Sequence, residues 1–345
     1  MNYRKILVVN LGGIGDMLLS TPALRALKDK FPQAQISILV VKRVYEIVKG
    51  LYYIDNIFVF YKSYSLISFL KNFYTLLTLK KKHFDLLINM RTIHSKRSAS
   101  KIKFLLNIIN PKIKAGRDTD GVANFFDIKI PETPIGQKYE MDYDIETVKA
   151  LGAQAADRSI DFKVDDASVE KIEKILEKED IFRDDILIGI HPGGRSSRRW
   201  PLENFSQVIA EIYQKISCKF VITGGEDEVG LADKLIKMTR PKAINLAGQL
   251  KIRELGALIK RCNLYISNDT GPIHIAAILE APLIAIFGAG DITRYDPRNI
   301  SGKAEVFHKK VECAPCGKIN CKSIKCLKAI SPEEIVEASF KVMNR

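Results

Sequence analysis

Four loops carry the residue types that chemistry at an anionic or sugar-like ligand would need. The first is Asn10-Leu-Gly-Gly-Ile-Gly-Asp16. Gly12, Gly13 and Gly15 permit a tight turn and close approach of a ligand to backbone. Asp16 opens the following helix, where it either caps it or serves as a general base. The second loop, His191-Pro-Gly-Gly-Arg-Ser-Ser-Arg-Arg-Trp-Pro201, places Gly193 and Gly194 beside Arg195, Arg198 and Arg199. Arginine grips phosphate oxygens bidentately, so this loop reads as an anion cradle rather than a plain basic surface over a buried Trp. The third, Thr223-Gly-Gly-Glu-Asp-Glu228, offers Gly224 and Gly225 for close approach, and Glu226 or Glu228 to accept hydrogen bonds from hydroxyls; turn and helix-start roles fit equally well.

The fourth loop is the most specific: Ser267-Asn-Asp-Thr-Gly-Pro-Ile-His274. Thr270 or Asp269 can cap a helix whose first turn accepts Pro272. The free N–H groups from Thr270 and Gly271 onward would then form a diphosphate site. Asp269 beside an anion requires hydroxyls or a cation in front of it. His274, one turn in, reaches phosphate or sugar, or is simply a satisfied helix histidine.

These loops need elements that aim them. Apolar runs at Lys5–Asn10, Ile36–Val41, Ile57–Phe60 and Leu86–Asn89 alternate with helical spacing at Asp16–Lys30, Leu66–Lys82 and Ser95–Ile109, and Lys112–Ala115 adds a further strand. The rhythm restarts at Ile186–Ile190 and continues through Lys219–Thr223, Ala243–Leu246, Leu264–Ser267 and Leu283–Phe287, with helices at Leu202–Ile216, Val229–Met238, Ile252–Lys260 and Pro272–Leu279. Strand–helix alternation of this kind predicts α/β domains with doubly wound parallel sheets. All four loops follow strands, where open α/β sheets bind ligands. Two such sheets are expected to face each other across a shared cleft.

The 345 residues suit two domains. A charged stretch, 157–185, separates the series, and within it Val169–Glu179 reads as an amphipathic helix. The domains are placed at 1–160 and 161–330, with a last helix in 331–345 opened by Ser331, Pro332 and Glu334 and expected to pack back on the N-terminal domain. With 46% hydrophobic and 27% charged residues, a folded core is expected and global disorder is excluded. No apolar run reaches the length of a membrane span, and the glycines and Asp16 break any secretory leader. The expected location is the cytoplasm, with docking on the inner membrane allowed by a mean hydropathy of −0.03.

The formal charge of +14 is uneven: residues 1–160 carry 25 Lys and Arg against 14 Asp and Glu, and residues 161–345 carry 29 against 26. A basic first half attracts anionic partners. Tyr61–Lys82 mixes aromatics, leucines and lysines, and Lys96, Arg97, Lys101 and Lys103 follow. This composition fits either a solvated basic face or docking to a phosphorylated glycolipid at an anionic leaflet. Nucleic acid fits less well, because no recognised fold module is present.

Cys313, Cys316, Cys321 and Cys326 crowd one segment. Their number suits a structural zinc, but their tight spacing departs from the two-knuckle pattern; a reduced, packed loop is the expectation, with no cofactor. Cys218 and Cys262 read as small core residues. Asp118/Asp120 and Asp142/Asp144 form Asp-x-Asp strings outside a metal–nucleotide context and read as chance turns.

The strings NLGGIGDMLLSTPAL, IHPGGRSSRRWPLENF, NLAGQLKIRELGALIKRCNLYISNDTGPIHIAAILEAPLIAIFG and ECAPCGKINC resemble, in order over nearly the whole chain, glycosyltransferase family 9, the bacterial ADP-heptose:lipopolysaccharide heptosyltransferases. The resemblance implies a GT-B fold with an acceptor-binding N-terminal domain and a nucleotide-sugar-binding C-terminal domain. It further implies metal-independent inverting transfer of heptose from ADP-heptose to the lipopolysaccharide inner core. By motif, Asp16 matches the catalytic base; Arg198 stands where many relatives have a donor-contacting Lys; Asp269, Thr270, Gly271 and His274 match the donor site. Gly193-Gly194 replaces a hydroxyl-bearing pair common in the family, which bears on the donor more than on the reaction type.

Three rival readings remain in view. One is an NADP-linked oxidoreductase using Gly13-x-Gly15, although Leu18 stands where the fingerprint needs a third glycine and Lys42-Arg43 would have to take the 2′-phosphate. Another is a binding module that has lost catalysis. The third is a family 9 transferase using another nucleotide sugar.

Overall fold

A computed structural model of the chain describes residues 3–62, 65–313, 316–318 and 320–344. The chain divides into two units, Met1–Asp161 and Phe162–Arg345. In the first unit the order is β1 (Lys5–Asn10), α1 (Ile14–Leu19), α2 (Thr21–Lys30), β2 (Gln35–Val41), α3 (Tyr45–Val48), β3 (Asn56–Phe60), α4 (Leu66–Lys81), β4 (Leu86–Asn89), α5 (Lys96–Ile109), β5 (Ile113–Thr119), β6 (Ile128–Glu132) and α6 (Glu140–Lys149). Its strands run parallel in the order β3-β2-β1-β4-β5-β6. Helices cover the central strands on both faces, which is why β1 and β4 are unbroken apolar runs with Ile6–Val9 and Leu86–Ile88 buried. The unit closes on Asp161, gripped by Arg25 at 2.6 Å and by the Tyr53 hydroxyl at 2.7 Å.

The expected single helix over Asp16–Lys30 is two helices broken at Ser20. Pro22 has no N–H for the carbonyl of Leu18, and the Thr21 hydroxyl takes that carbonyl at 2.7 Å instead.

The second unit runs α7 (Asp166–Glu177), β7 (Leu187–His191), α8 (Leu202–Lys215), β8 (Lys219–Ile222), α9 (Val229–Met238), β9 (Ile244–Asn245), α10 (Ile252–Arg261), β10 (Leu264–Asn268), α11 (Gly271–Ile278), β11 (Leu283–Phe287), α12 (Ile292–Tyr295), β12 (Ala304–His308), α13 (Lys325–Lys328) and α14 (Pro332–Met343). Its parallel sheet repeats the topology as β12-β11-β10-β7-β8-β9. Trp200 is fully buried, stands edge-on to Phe205 and donates its indole N–H to the Ile330 carbonyl at 3.1 Å.

The last helix, α14, lies on α8 and on β10–β12 of its own unit, and Ile335, Val336 and Val342 join the core there.

In each sheet the strand order reverses at one pair, β1 with β4 and β7 with β10. Connections leave in opposite directions there, and the space beyond the strand ends opens into a crevice. The loops after these strands are the ones that carry Asp16, the arginine loop and the Ser267–His274 string.

Candidate functional site

The first crevice is built around Asp16. Register pairs Val9 with Asn89, so the loop after β1 lies beside the loop after β4. Asp16 Oδ2 accepts from the Gly13 N–H at 2.6 Å, and Oδ1 accepts from Arg91 Nη1. A Cβ added at Gly12 would stand 2.6 Å from the Asp16 side chain, so the first glycine makes room for this carboxylate. Asn10 holds the turn, accepting from the Gly12 N–H at 3.1 Å and donating to Ser20 Oγ at 2.9 Å. Gly15 is buried within α1. The Asp16 side chain stays 15% exposed, so a fixed carboxylate remains open to a reactant.

Behind Asp16 lies a buried charge network. Arg91 Nη1 also reaches Glu140 Oε1 at 3.2 Å. Glu140 accepts from Arg117 Nη1 at 2.8 Å; Arg117 further binds Glu132 at 3.2 Å and Asp144 through Nη2. Arg117 is wholly buried. Burial opposes its charge, but Glu140, Asp144 and Glu132 outweigh that and raise its pKa. Burial pushes Asp144 up to about 7, and the Arg117 charge offsets only part of this. Such a network adds little stability by itself, yet it holds its members in one geometry.

The second crevice brings the arginine loop and the Ser267–His274 string together. Register pairs Ser267 with His191. The Asn268 amide donates to the carbonyls of Pro192 and Gly193 at 2.8 and 3.1 Å, and its Oδ1 accepts from the Trp200 N–H at 3.1 Å. Gly194 has φ +111, and a Cβ there would stand 2.5 Å from the Thr270 methyl. Arg198 Nη1 lies 2.9 Å from Asp269 Oδ2, so the cation that Asp269 requires is supplied by the arginine loop. Arg195 is exposed at the loop's edge. Thr270 is the N-cap of α11, and Gly271 and Pro272 form its first turn. His274 is buried one turn in, its ring 6.0 Å from that of Tyr295.

The third loop contributes mainly structure. Glu228 turns inward and accepts from the Gly194 and Gly225 N–H groups at 2.5 and 2.8 Å. Burial works to raise its pKa, but His191, these N–H groups and Arg199 outweigh it and leave Glu228 below the usual glutamate value. Burial holds His191 below the usual histidine value. Gly224 packs against Ala247 and Glu228, whereas Glu226 is exposed.

Ala314, Pro315 and Ile319 of the cysteine string lie outside the described residues. Cys313 is exposed, Cys316 and Cys321 half-buried and Cys326 buried, all as free thiols. Among the described residues no group of three His, Cys, Asp or Glu side chains is placed to hold a metal. The segment instead braces the arginine loop: the Ser197 hydroxyl donates to the Lys318 carbonyl and the Ser196 hydroxyl to Asn320 at 3.0 Å. In the Asp-x-Asp strings, Asp118 accepts from the Ala123 N–H at 2.7 Å, Asp142 pairs with Arg158 at 2.5 Å, and Asp144 belongs to the buried network.

Arg91, Glu140, Arg117 and Asn268 are the site residues that sequence reasoning passed over. Arg91 had a signal, because it follows β4 directly, as the other loops follow their strands.

Residues 76–327 match the model of Glycosyltransferase family 9 (heptosyltransferase). The chain is 27% identical over 342 residues to lipooligosaccharide heptosyltransferase 2 of Campylobacter jejuni subsp. jejuni serotype O:2, covering 96% of each protein. Among solved structures, a family 9 glycosyl transferase from Veillonella parvula superposes with TM-score 0.75 at 22% identity, over 99% of this chain and 97% of that one. The E. coli ADP-heptose lps heptosyltransferase II superposes with TM-score 0.72 at 17% identity, over 98% of both. The fold is GT-B, as in these heptosyltransferases.

Proposed function

The chain belongs to glycosyltransferase family 9, and on that footing we propose that it moves heptose from ADP-heptose onto a hydroxyl of the lipopolysaccharide inner core with inversion. Asp16 takes the proton of the acceptor hydroxyl as its oxygen attacks the anomeric carbon from the face opposite the diphosphate. The bond to the diphosphate oxygen breaks, and ADP leaves with the electron pair. The growing negative charge is met by Arg198 and Arg195 and by the N–H groups at Thr270–Gly271. His274, Gly193, Gly194, Gly224 and Glu226 line or border the donor position, and Gly12, Gly13 and Gly15 shape the loop beneath the acceptor.

The observation that carries this reading is the Asp16 carboxylate, held at both oxygens and still partly exposed. It also weighs against the oxidoreductase reading. Asp16 takes the Gly13 N–H, which a dinucleotide's pyrophosphate would need in that turn.

The acceptor is a phosphorylated glycolipid, so the protein works at the cytoplasmic face of the inner membrane as a peripheral protein, without nucleic acid. No helix among the described residues is long and apolar enough to cross a membrane. The protein's own cations are assigned the charge that a metal would otherwise meet, so the reaction needs no cofactor. Turnover should then survive a chelator.

The test is to incubate the protein with a panel of nucleotide sugars and a core acceptor. ADP-heptose should be consumed, and Asp16→Asn should stop turnover while ADP still binds. Preference for another nucleotide sugar would reassign the donor; a fully active Asp16→Asn would remove Asp16 as base.

A further inference from the structure

The side of α4 that sequence periodicity would send to the core faces solvent. Leu66, Phe69, Leu70, Phe73, Tyr74 and Leu77 recur at the spacing of one helical stripe, which in a surface helix normally packs inward. Here the first five are more than half exposed, and Leu77 is 41% exposed. The helix buries only Ser68 and Leu79. It is nevertheless firmly held: Asn72 clamps the end of β3, accepting from the Tyr61 N–H and donating to the Tyr61 carbonyl, each at 2.8 Å. The stripe is therefore presented by a fixed element. On α5, Phe104 is 65% exposed beside exposed Lys101 and Lys103.

Charge identifies what covers this face. No Asp or Glu occurs from Lys62 to Phe84, nor from Leu86 to Arg117. Lys71, Lys80 and Lys81 on α4, and Lys96 and Arg97 on α5, are exposed around the apolar stripe. Bulky apolar side chains rimmed by cations alone match a lipid surface with anionic headgroups.

We propose that α4, with the neighbouring edge of α5, is an insertion surface that seats the first unit on an anionic bilayer, its apolar stripe entering the headgroup–acyl boundary. This deepens the reading of the protein as a transferase acting on a membrane-borne glycolipid, and rests on it. It also changes the nature of the contact, because insertion leaves a salt-resistant remainder that a purely electrostatic contact lacks.

The test uses the full chain and vesicles of phosphatidylethanolamine with about one-quarter phosphatidylglycerol. The wild type should co-sediment at about 0.15 M salt, weaken at higher salt and retain measurable binding. The triple variant Phe69→Ser, Phe73→Ser, Tyr74→Ser should bind about tenfold more weakly or worse. As a measurement independent of that variant's folding, Phe73→Trp should be quenched by bromines carried on the acyl chains; Trp200 is buried and serves as the internal reference. Turnover of a water-soluble, deacylated acceptor should be unchanged in the triple variant. Absence of wild-type binding, equal binding by a folded triple variant, or an unquenched Trp at position 73 would overturn the proposal. So would loss of soluble turnover, which would make the face an acceptor site, or a wild-type dimer that the triple variant dissolves, which would make the occupant a second copy. Failure to consume any nucleotide sugar would overturn the transferase reading and leave the vesicle result standing by itself.

Discussion

Arg198 Nη1 sits 2.9 Å from Asp269 Oδ2, joining the loop after β7 to the loop after β10. Asp269 is almost buried, whereas the guanidinium keeps 20% of its side chain exposed. The pair therefore aims a cation while leaving part of its fork free for an anion. Arg198→Lys should lose the second arm of the fork and lower kcat/KM for the nucleotide sugar about tenfold. Arg198→Ala should lower it about a hundredfold or more. Steady-state kinetics on both variants checks the order; an Ala variant as active as the Lys variant would show that the charge is not used.

Arg91 positions Asp16 and lies between it and the buried Glu140. Arg91→Ala should reduce kcat about tenfold to a hundredfold while leaving KM for the nucleotide sugar alone, since the residues proposed to bind the donor belong to the other sheet. A purely structural role would lower the melting temperature and raise KM for the nucleotide sugar along with the loss of kcat.

Asp144 predicts a pH dependence of stability. Its folded pKa of about 7 lies above the ordinary aspartate value of 3.8. The folded state therefore holds the proton more tightly, and the contribution is complete below about pH 4. It is lost as pH rises towards 7 and is level above that. Asp144→Asn removes this term. The difference in melting temperature, wild type minus variant, should fall from pH 4.5 to about pH 7. A constant difference across that range would show that Asp144 stays ionised.

Gly290 has no room for a side chain: a Cβ there would lie 1.7 Å from Asp269 Oδ2. Gly290→Ala must push Asp269 off Arg198 while leaving the core intact. KM for the nucleotide sugar should rise about tenfold, with the melting temperature within a few degrees of wild type. Titration of ADP by calorimetry gives the same answer without acceptor.

The interior strands were legible because strands covered on both faces become unbroken apolar runs, as in Lys5–Asn10 and Leu283–Phe287. The edges were not. β6 reads Ile-Lys-Ile-Pro-Glu, and only an edge strand tolerates such a proline. α6 escaped for a different reason: its buried face includes Glu140 and Asp144, turned towards Arg117, so its hydrophobic periodicity is broken where the charge network begins. The loop residues were readable from strand–loop logic alone. Arg91 obeys that logic but lacks a glycine-rich flank, and the Asn268 clamp depends on a register that no local pattern displays.

The placement of α14 sets an order of events during synthesis. The first unit has its own core and can close while later residues are still being added. The second has β7 and β8 early, but its interior stays open until Ile335, Val336 and Val342 arrive to cover β10 and β11. A chain cut before Pro332 should therefore yield a protease-resistant fragment ending near Asp161 and a digested remainder. The unit that carries Asp16 closes first, and the unit that carries Arg198 and Asp269 waits for α14.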